Sequence, residues 1–306
     1  MCARFYTAMC LAAVMAATPA LLPAQRQHRD DDDDASSRID TTVALSAGGV
    51  VELSLISGEI KVTSWNRDQV RVHATSEEGL LQFDASNGRV SLSVRSQHGN
   101  MGDTEYQVTI PAGARLITHS VSADITTDGG SDVEARSVSG DVAVSNATGR
   151  ATIESVSGGL KARNVGRGLR ASTVSGDVEA NDITGDIDAQ STSGDIVLSG
   201  TKSSFVHTQT VSGETRFGGT VDRAGRYEFH SHSGDIQLAV PSTGVTFDVN
   251  TFSGDLQSDY PMTLQPGSEV GHKHMEFSIN GGGARVTAET FSGDITVERP
   301  GHSHED

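Results

Sequence analysis

Between residues 138 and 198 the apolar positions return on a fixed beat. Val142 and Val144 follow a Ser-Gly-Asp triplet and lie two residues apart, so on an extended strand they share a face. Nine residues after Val138, Val142 and Val144 come Ala147, Ala151 and Ile153 at the same offsets. Val156, Leu160 and Ala162 repeat the set and are answered by Val165, Leu169 and Ala171. Val174, Val178 and Ala180 repeat it again and are answered by Ile183, Ile187 and Ala189. Glycine keeps the nine-residue beat at Gly140, Gly149, Gly158, Gly176, Gly185 and Gly194. A glycine in every nine-residue unit breaks any 3.6-residue stripe, so helices are excluded here. The pattern predicts an all-β fold: a parallel β-solenoid (β-helix) with two strands per coil. Each coil stacks ~4.8 Å above the last, because no coil can bury its apolar face alone.

The full period is read from the Ser-Gly turns. They begin at Val138, Val156, Val174 and Thr192, 18 residues apart, and then at Val211, His232, Phe252 and Phe291, after steps of 19, 21, 20 and 39. Coils of 18–20 residues follow, with a degenerate copy expected near Phe277 to Gly283 to fill the double step. The turn glycines are Gly140, Gly158, Gly176, Gly194, Gly213, Gly234, Gly254 and Gly293, read as positions where φ may turn positive. Val138, Phe252 and Phe291 share one offset, read as core, and His232 on that offset is read as a packed turn residue.

Residues 40–113 are β-rich but less regular and are read as the N-terminal cap of the solenoid; a separate small β domain is the other reading. Ile56-Ser57-Gly58-Glu59-Ile60 repeats the unit, and Trp65 falls at the offset of Ala147 and Val165. Asn87-Gly88 between alternating segments marks a hairpin, and Tyr106 to Ile110 a strand stopped by Pro111. Residues 114–299 are the repeats proper. Residues 25–39 hold the run Asp30 to Asp34, five carboxylates that repel one another and bury nothing, and read as a disordered acidic linker. Residues 300–306 read as a polar tail carrying His302 and His304.

Residues 1–24 read as a secretory signal: Arg4, then an apolar stretch from Met9 to Leu22, then Pro23-Ala24-Gln25. The stretch is too short and too broken by proline to span a membrane comfortably. Both cysteines, Cys2 and Cys10, lie inside it, so the mature chain has no thiol and no disulfide. The net charge of −17 disfavours nucleic acid and anionic lipid as partners. Aromatics at 5% fit thin layers of Val, Ile, Leu and Ala better than a bulky globular core.

Three features in order carry a family resemblance. They are Ser57-Gly58-Glu59-Ile60 with Trp65-Asn66 and Val70-Arg71-Val72, then Tyr106-Gln107-Val108-Thr109-Ile110-Pro111, then the ladder of Ser-Gly-Asp turns. Together they resemble the bacterial putative-adhesin β-solenoid domains of unknown function, over residues 45–299. The resemblance implies a β-helix in an exported or envelope protein and carries over no catalytic residues.

The acidic residues after the turn glycines are the first site candidates: Asp141, Asp177, Asp195, Asp235, Asp255 and Asp294, with Glu214 at the same offset. Stacking sets such carboxylates about 5 Å apart. They must be solvated, bonded to turn amides, or bridged by a cation. Calcium is the one cofactor considered, but the Gly-Gly-x-Gly-x-Asp pattern of calcium β-rolls is missing, so turn amides are the preferred partners. His230 with His232, and His272 with His274, lie two apart and could share a face toward zinc. No nucleophile elbow, phosphate loop or metalloprotease motif occurs, and the carboxylates follow the repeat instead of clustering, so an enzyme, including a polysaccharide-cleaving β-helix, is not expected. What remains is a binding module facing a glycan or an envelope or surface protein, or a structural spacer, in the periplasm or at the cell surface. Intact-mass measurement of the native exported protein should find its start near Gln25; retention of Met1 to Leu22 would contradict export by a cleaved signal.

Overall fold

The computed structural model describes residues 37–300, apart from 47, 87, 97–101, 242–243, 262 and 265–273. The signal segment, the run Asp30 to Asp34, His272 and the end of the tail lie outside the described residues. What is described is entirely β: strands in one continuous hydrogen-bonded network with many parallel pairings.

Each coil consists of two strands meeting at a Ser-Gly-Asp corner. One ladder stacks Val142–Ser145, Leu160–Val165, Val178–Ile183 and the start of Ile196–Ser212 in parallel, through Val142↔Leu160, Leu160↔Val178 and Val178↔Ile196. The opposite ladder stacks Val133–Arg136, Ala151–Glu154, Leu169–Ser172 and Ile187–Gln190. Paired residues in these strands lie 18 apart; later steps lengthen to 19 at Ile196↔Thr215 and 21 at Thr215↔Ile236. Val142, Leu160, Val178 and Ile196 meet Ala151, Leu169 and Ile187 between the ladders, all at most 2% exposed. Each such Val, Leu or Ile contributes about 1.5–3 kcal/mol by leaving water. Where the coils lengthen, the core changes to rings: Phe217 packs on Tyr227 and Phe229 at centroid distances of 5.7 and 5.3 Å.

The corner glycines have a different purpose from the one expected. Of the glycines at the Ser-Gly corners, only Gly58 has positive φ. The others are fixed by close approach: a Cβ on Gly158 would lie 2.0 Å from the Gly140 carbonyl oxygen, and one on Gly176 2.1 Å from that of Gly158. Gly194, Gly213, Gly234, Gly293 and Gly254 each meet the preceding corner glycine in the same way. A Ser or Thr three residues earlier completes the contact. Ser155 Oγ accepts from Gly158 N at 3.0 Å and donates to Gly140 O at 3.2 Å. Thr173 and Ser191 donate likewise to Gly158 O and Gly176 O. Each such buried bond contributes about 1 kcal/mol and prevents a larger loss from an unpaired carbonyl.

Left-handed backbone sits instead at the far corner, where Asn146, Asn164, Asp182 and Gly200 all have positive φ. Asn146 Nδ2 donates to Asp128 Oδ1 and Asn164 Nδ2 to Asn146 Oδ1, at 2.6 and 2.7 Å. Asn, Asp and Gly are the residues that tolerate this conformation.

The order of coils in space departs from the order in sequence at both ends. Val50–Trp65 pairs directly with Arg115–Asp128, and the strands between them fold against it. The antiparallel pairs Gly79–Ser86 with Arg89–Ser96 and Gln69–Ser76 with Thr104–Pro111 belong to this part. Ser86 faces Arg89, so these two strands pair as the expected hairpin. Arg38–Ala44 pairs antiparallel with Gln69–Ser76. Residues 38 and 39 of the expected linker are therefore strand, held because Ile39 packs against the core. Trp65 does not repeat the buried Ala147 and Val165; it is half-exposed, with Arg67 over its ring at 4.9 Å.

At the other end, Ala284–Ser292 and Ile295–Glu298 insert between the coil of Arg226 to Ala239 and that of Val245 to Ser258. The degenerate coil expected near Phe277 to Gly283 is absent. His274–Ile279 runs antiparallel to Val245–Ser253, and Phe277 stacks on Phe247 at 4.9 Å. The double step is thus a hairpin folded back over the last coil.

Two adjacent glycines test the corner contact. Gly158→Ala should cost at least about 2 kcal/mol in chemical denaturation, since the clash is with backbone. Gly159→Ala meets only ordinary contact, 3.5 Å from Asp141 Oδ1, and should stay within about 1 kcal/mol of the parent.

Candidate binding surface

The residue between the buried Ser or Thr and the corner Ser points outward. Ser137 is buried, so Val138 beside it must face solvent, and it is 45% exposed. Val121, Val156, Val174 and Val211 repeat this arrangement, as do Phe291 and Phe252; Ile56 is exposed likewise but follows the buried Leu55. The sequence reading had placed Val138, Phe252 and Phe291 in the core and His232 in a packed turn. All four are exposed, because the corner resets the alternation: Ser137 and Gly140 are both buried although three residues apart.

Pairing orders these side chains into a stripe. Ser57 faces Ser122, and the amides of Ser139, Ser157, Ser175 and Ser193 donate to the carbonyls of Val121, Val138, Val156 and Val174. Ser212 faces Ser233, Ser233 faces Ser292, and Ser253 faces Ser292. The order along the corner is therefore Ile56, Val121, Val138, Val156, Val174, Thr192, Val211, His232, Phe291, Phe252. At its end the rings stack flat: His232 on Phe291 at 5.1 Å and 15°, Phe291 on Phe252 at 4.7 Å and 6°. Beside the stack lies a concavity of about 370 Å³ lined by His230, Ser231, Asn250, Phe252, Glu289, Thr290 and Phe291.

The acidic ladder flanks this stripe, and most of its carboxylates accept from the next coil's backbone. Asp141 Oδ1 accepts from Gly159 N, Asp177 Oδ1 from Asp195 N and Asp195 Oδ1 from Glu214 N, at 2.8–2.9 Å. Asp235 Oδ1 accepts from Asp294 N and Asp294 Oδ1 from Asp255 N, both at 2.8 Å, following the spatial order of the coils. Asp124, at the same offset and not picked out from sequence because Ala123 replaces glycine, accepts from Asp141 N at 2.9 Å. The ladder's side chains are exposed or half-buried.

Glu214 departs from the others. It is half-buried and paired with Arg216. Burial raises its carboxyl above the usual value; Arg216 opposes this by charge and hydrogen bonding, while Asp195 and Asp235 add to it.

The histidines divide. His230 and His232 both point outward, but His232 is occupied by the ring stack, and His230 instead meets Glu289 at 3.2 Å. His274 pairs with Asp248 at 3.3 Å. His207, which two-residue spacing could not reveal, lies with Glu228 and His230, ligand atoms within 4.8 Å of one another.

Residues 50–298 match the family described as Toastrack DUF4097, from the first parallel strand to the last. The chain belongs to this family. A comparison with curated proteins finds no match. Among solved structures, the Toastrack chain is similar to a putative adhesin of Parabacteroides merdae ATCC 43184, with 11% identity, 86% of this chain and 96% of that one covered, and a TM-score of 0.37. It is also similar to a putative cell adhesion protein of Clostridium sporogenes ATCC 15579, with 9% identity, 86% and 99% coverage, and a TM-score of 0.24. Alignments this loose fix no residue's role. No helix among the described residues is long and apolar enough to cross a membrane.

Glu214 gives the Toastrack stack a measurable pH dependence. Its folded carboxyl holds the proton more tightly than the unfolded one, so stability is lost as pH rises from the ordinary value of 4.5 through the higher folded value. Glu214→Gln should therefore raise Tm at pH 7, and the gain should vanish as pH falls below 4.5. A variant less stable than the parent at pH 7 would show that the Arg216 pair outweighs the burial cost.

Proposed function

We propose that this Toastrack chain is a non-catalytic, adhesin-like recognition module of an exported protein, and that it presents its apolar corner to a protein partner at the cell envelope or surface. The observation that carries this reading is the outward stripe from Ile56 to Phe252, most of whose members are 39–55% exposed. The corner geometry requires a residue there but does not require it to be apolar, as Thr192 demonstrates. Contiguous exposed apolar surface of this kind marks contact sites in soluble proteins. Repetition at each coil suits many weak contacts whose strength comes from number.

The stacking favours protein over carbohydrate. Phe291 is covered on one face by His232 and on the other by Phe252, so its ring edge, not an open face, meets the solvent. Catalysis is disfavoured on chemical grounds: it needs a few groups in one unrepeated geometry, whereas these carboxylates recur and most commit an oxygen to a backbone amide. The same bonds offer an alternative to calcium for holding the ladder. We read the antiparallel strands at both ends as closures of the solenoid, which argues against a spacer that grows by end-to-end strand pairing.

The test is the triple variant Val138→Thr, Val156→Thr, Val174→Thr, which keeps shape and removes apolar surface. On immobilised surface proteins and glycans the parent should be retained by protein. The variant should bind at least tenfold more weakly, with Tm shifted by only a few degrees. Unchanged binding by the variant would overturn the assignment of the corner. Cleavage of any polymer, abolished by one carboxylate substitution, would overturn the non-catalytic reading.

A further inference from the structure

Three coils bring two imidazoles and two carboxylates together on the outer face next to the corner. His207 faces Glu228 across one parallel pairing, and His230 faces Glu289 across the next. Glu228 and His230 are two apart on one strand, so they project from the same side. His207 Nδ1 is 3.6 Å from Glu228 Oε2, and His230 Nδ1 is 3.2 Å from Glu289 Oε2. The two imidazole rings are 5.6 Å apart.

We propose that His207, Glu228 and His230, with Glu289 as fourth ligand, form a site for a divalent cation of the zinc class that clamps these three coils. Four ligands at 2.0–2.1 Å around a tetrahedral ion lie about 3.3 Å from one another. The two His–Glu distances already match such edges; the ligand atoms of His207, Glu228 and His230 lie within 4.8 Å of one another, and Glu289 joins the group through His230. His207 Nδ1 is buried and has no hydrogen-bond partner, which leaves its lone pair free for a metal. Arg226 pairs with Oε1 of Glu228, orienting the carboxylate and leaving Oε2 toward His207. Imidazole with carboxylate, and no thiolate, suits zinc; two nitrogens make it a poor calcium site. Two glutamates balance the ion's charge.

The location gives the site a purpose. Glu289 belongs to the coil that inserts out of sequence order, while His207 and Glu228 belong to the two coils below it. A bound ion ties the inserted coil to its neighbours by bonds that do not depend on the apolar core. The site lies beside the proposed contact stripe but uses none of its members and does not rest on that reading.

The test is zinc chloride titrated into the full chain after treatment with chelator, followed by calorimetry, with cobalt(II) as a spectroscopic probe. One equivalent should bind and raise Tm, and cobalt should give the intense visible bands of a four-coordinate ion. Hydrogen exchange in Ala284–Ser292 should slow when zinc is added. His207→Ala and Glu228→Gln should each weaken binding at least tenfold, and His232→Ala should leave it unchanged. Glu228→Gln is nearly isosteric and carries the test if His207→Ala does not fold. The proposal fails if no saturable binding occurs, if both variants bind as the parent does, or if His302→Ala with His304→Ala abolishes binding.

Discussion

At the stacked corners the glycine of one coil rests on the backbone carbonyl of the coil before it, a glycine's in every case from Gly158 onward, with no room for a Cβ between them. Much of the local chemistry follows from that contact. The approached carbonyl needs a donor, and the Ser or Thr three residues upstream of the next glycine supplies it. With that hydroxyl turned inward, the following side chain has to turn outward. The acidic residue after the glycine then sits beside the next coil's amide and accepts from it. A five-residue motif thus sets the stacking distance, satisfies its own polar groups in every coil but that of Ser231, and commits one position per coil to the surface.

Inside and outside are under different constraints. Between the two ladders, side chains must fill a layer of nearly fixed thickness, and Val, Leu, Ile and Ala recur with little variation until the coils lengthen and rings replace them. Outside, neither packing nor backbone geometry dictates identity. Valines along the middle of the corner, rings at its end and imidazoles with carboxylates beside them are choices the fold does not impose. That freedom is why the surface, and not the core, carries the functional reading.

The β class, the 18-residue spacing and inward residues such as Val142, Val178 and Ile187 were legible because periodicity reports which side chains share a face. The direction of Val138 was not. Strand alternation was carried through the corner, where Ser137 and Gly140 are both inward although an odd number of residues apart. The reason for the corner glycines was also hidden, since contact with another coil leaves no trace in local conformational preference. The far corner leaves its own trace in the sequence: Asn146, Asn164, Asp182 and Gly200 fall 18 apart and are residue types that tolerate the left-handed backbone they adopt. His207 could not be paired with His230 from sequence, because a 19-to-21-residue step between coils brings them together.

The inserted last coil bears on when the stack can be finished. Arg226 to Ala239 and Val245 to Ser258 are made first, but each lacks a partner on one side until Ala284 to Glu298 exists. A chain emerging from its N-terminus therefore carries two open strand edges until residues 284–298 appear. The final step is the entry of one coil between two others, and it cannot proceed by simple addition to a growing end. Assembly of the middle coils can run with synthesis, whereas closure of the last coils waits for Ala284 to Glu298. A truncation near the C-terminus thus removes a layer from within the stack, where loss from a sequentially ordered solenoid would merely shorten it.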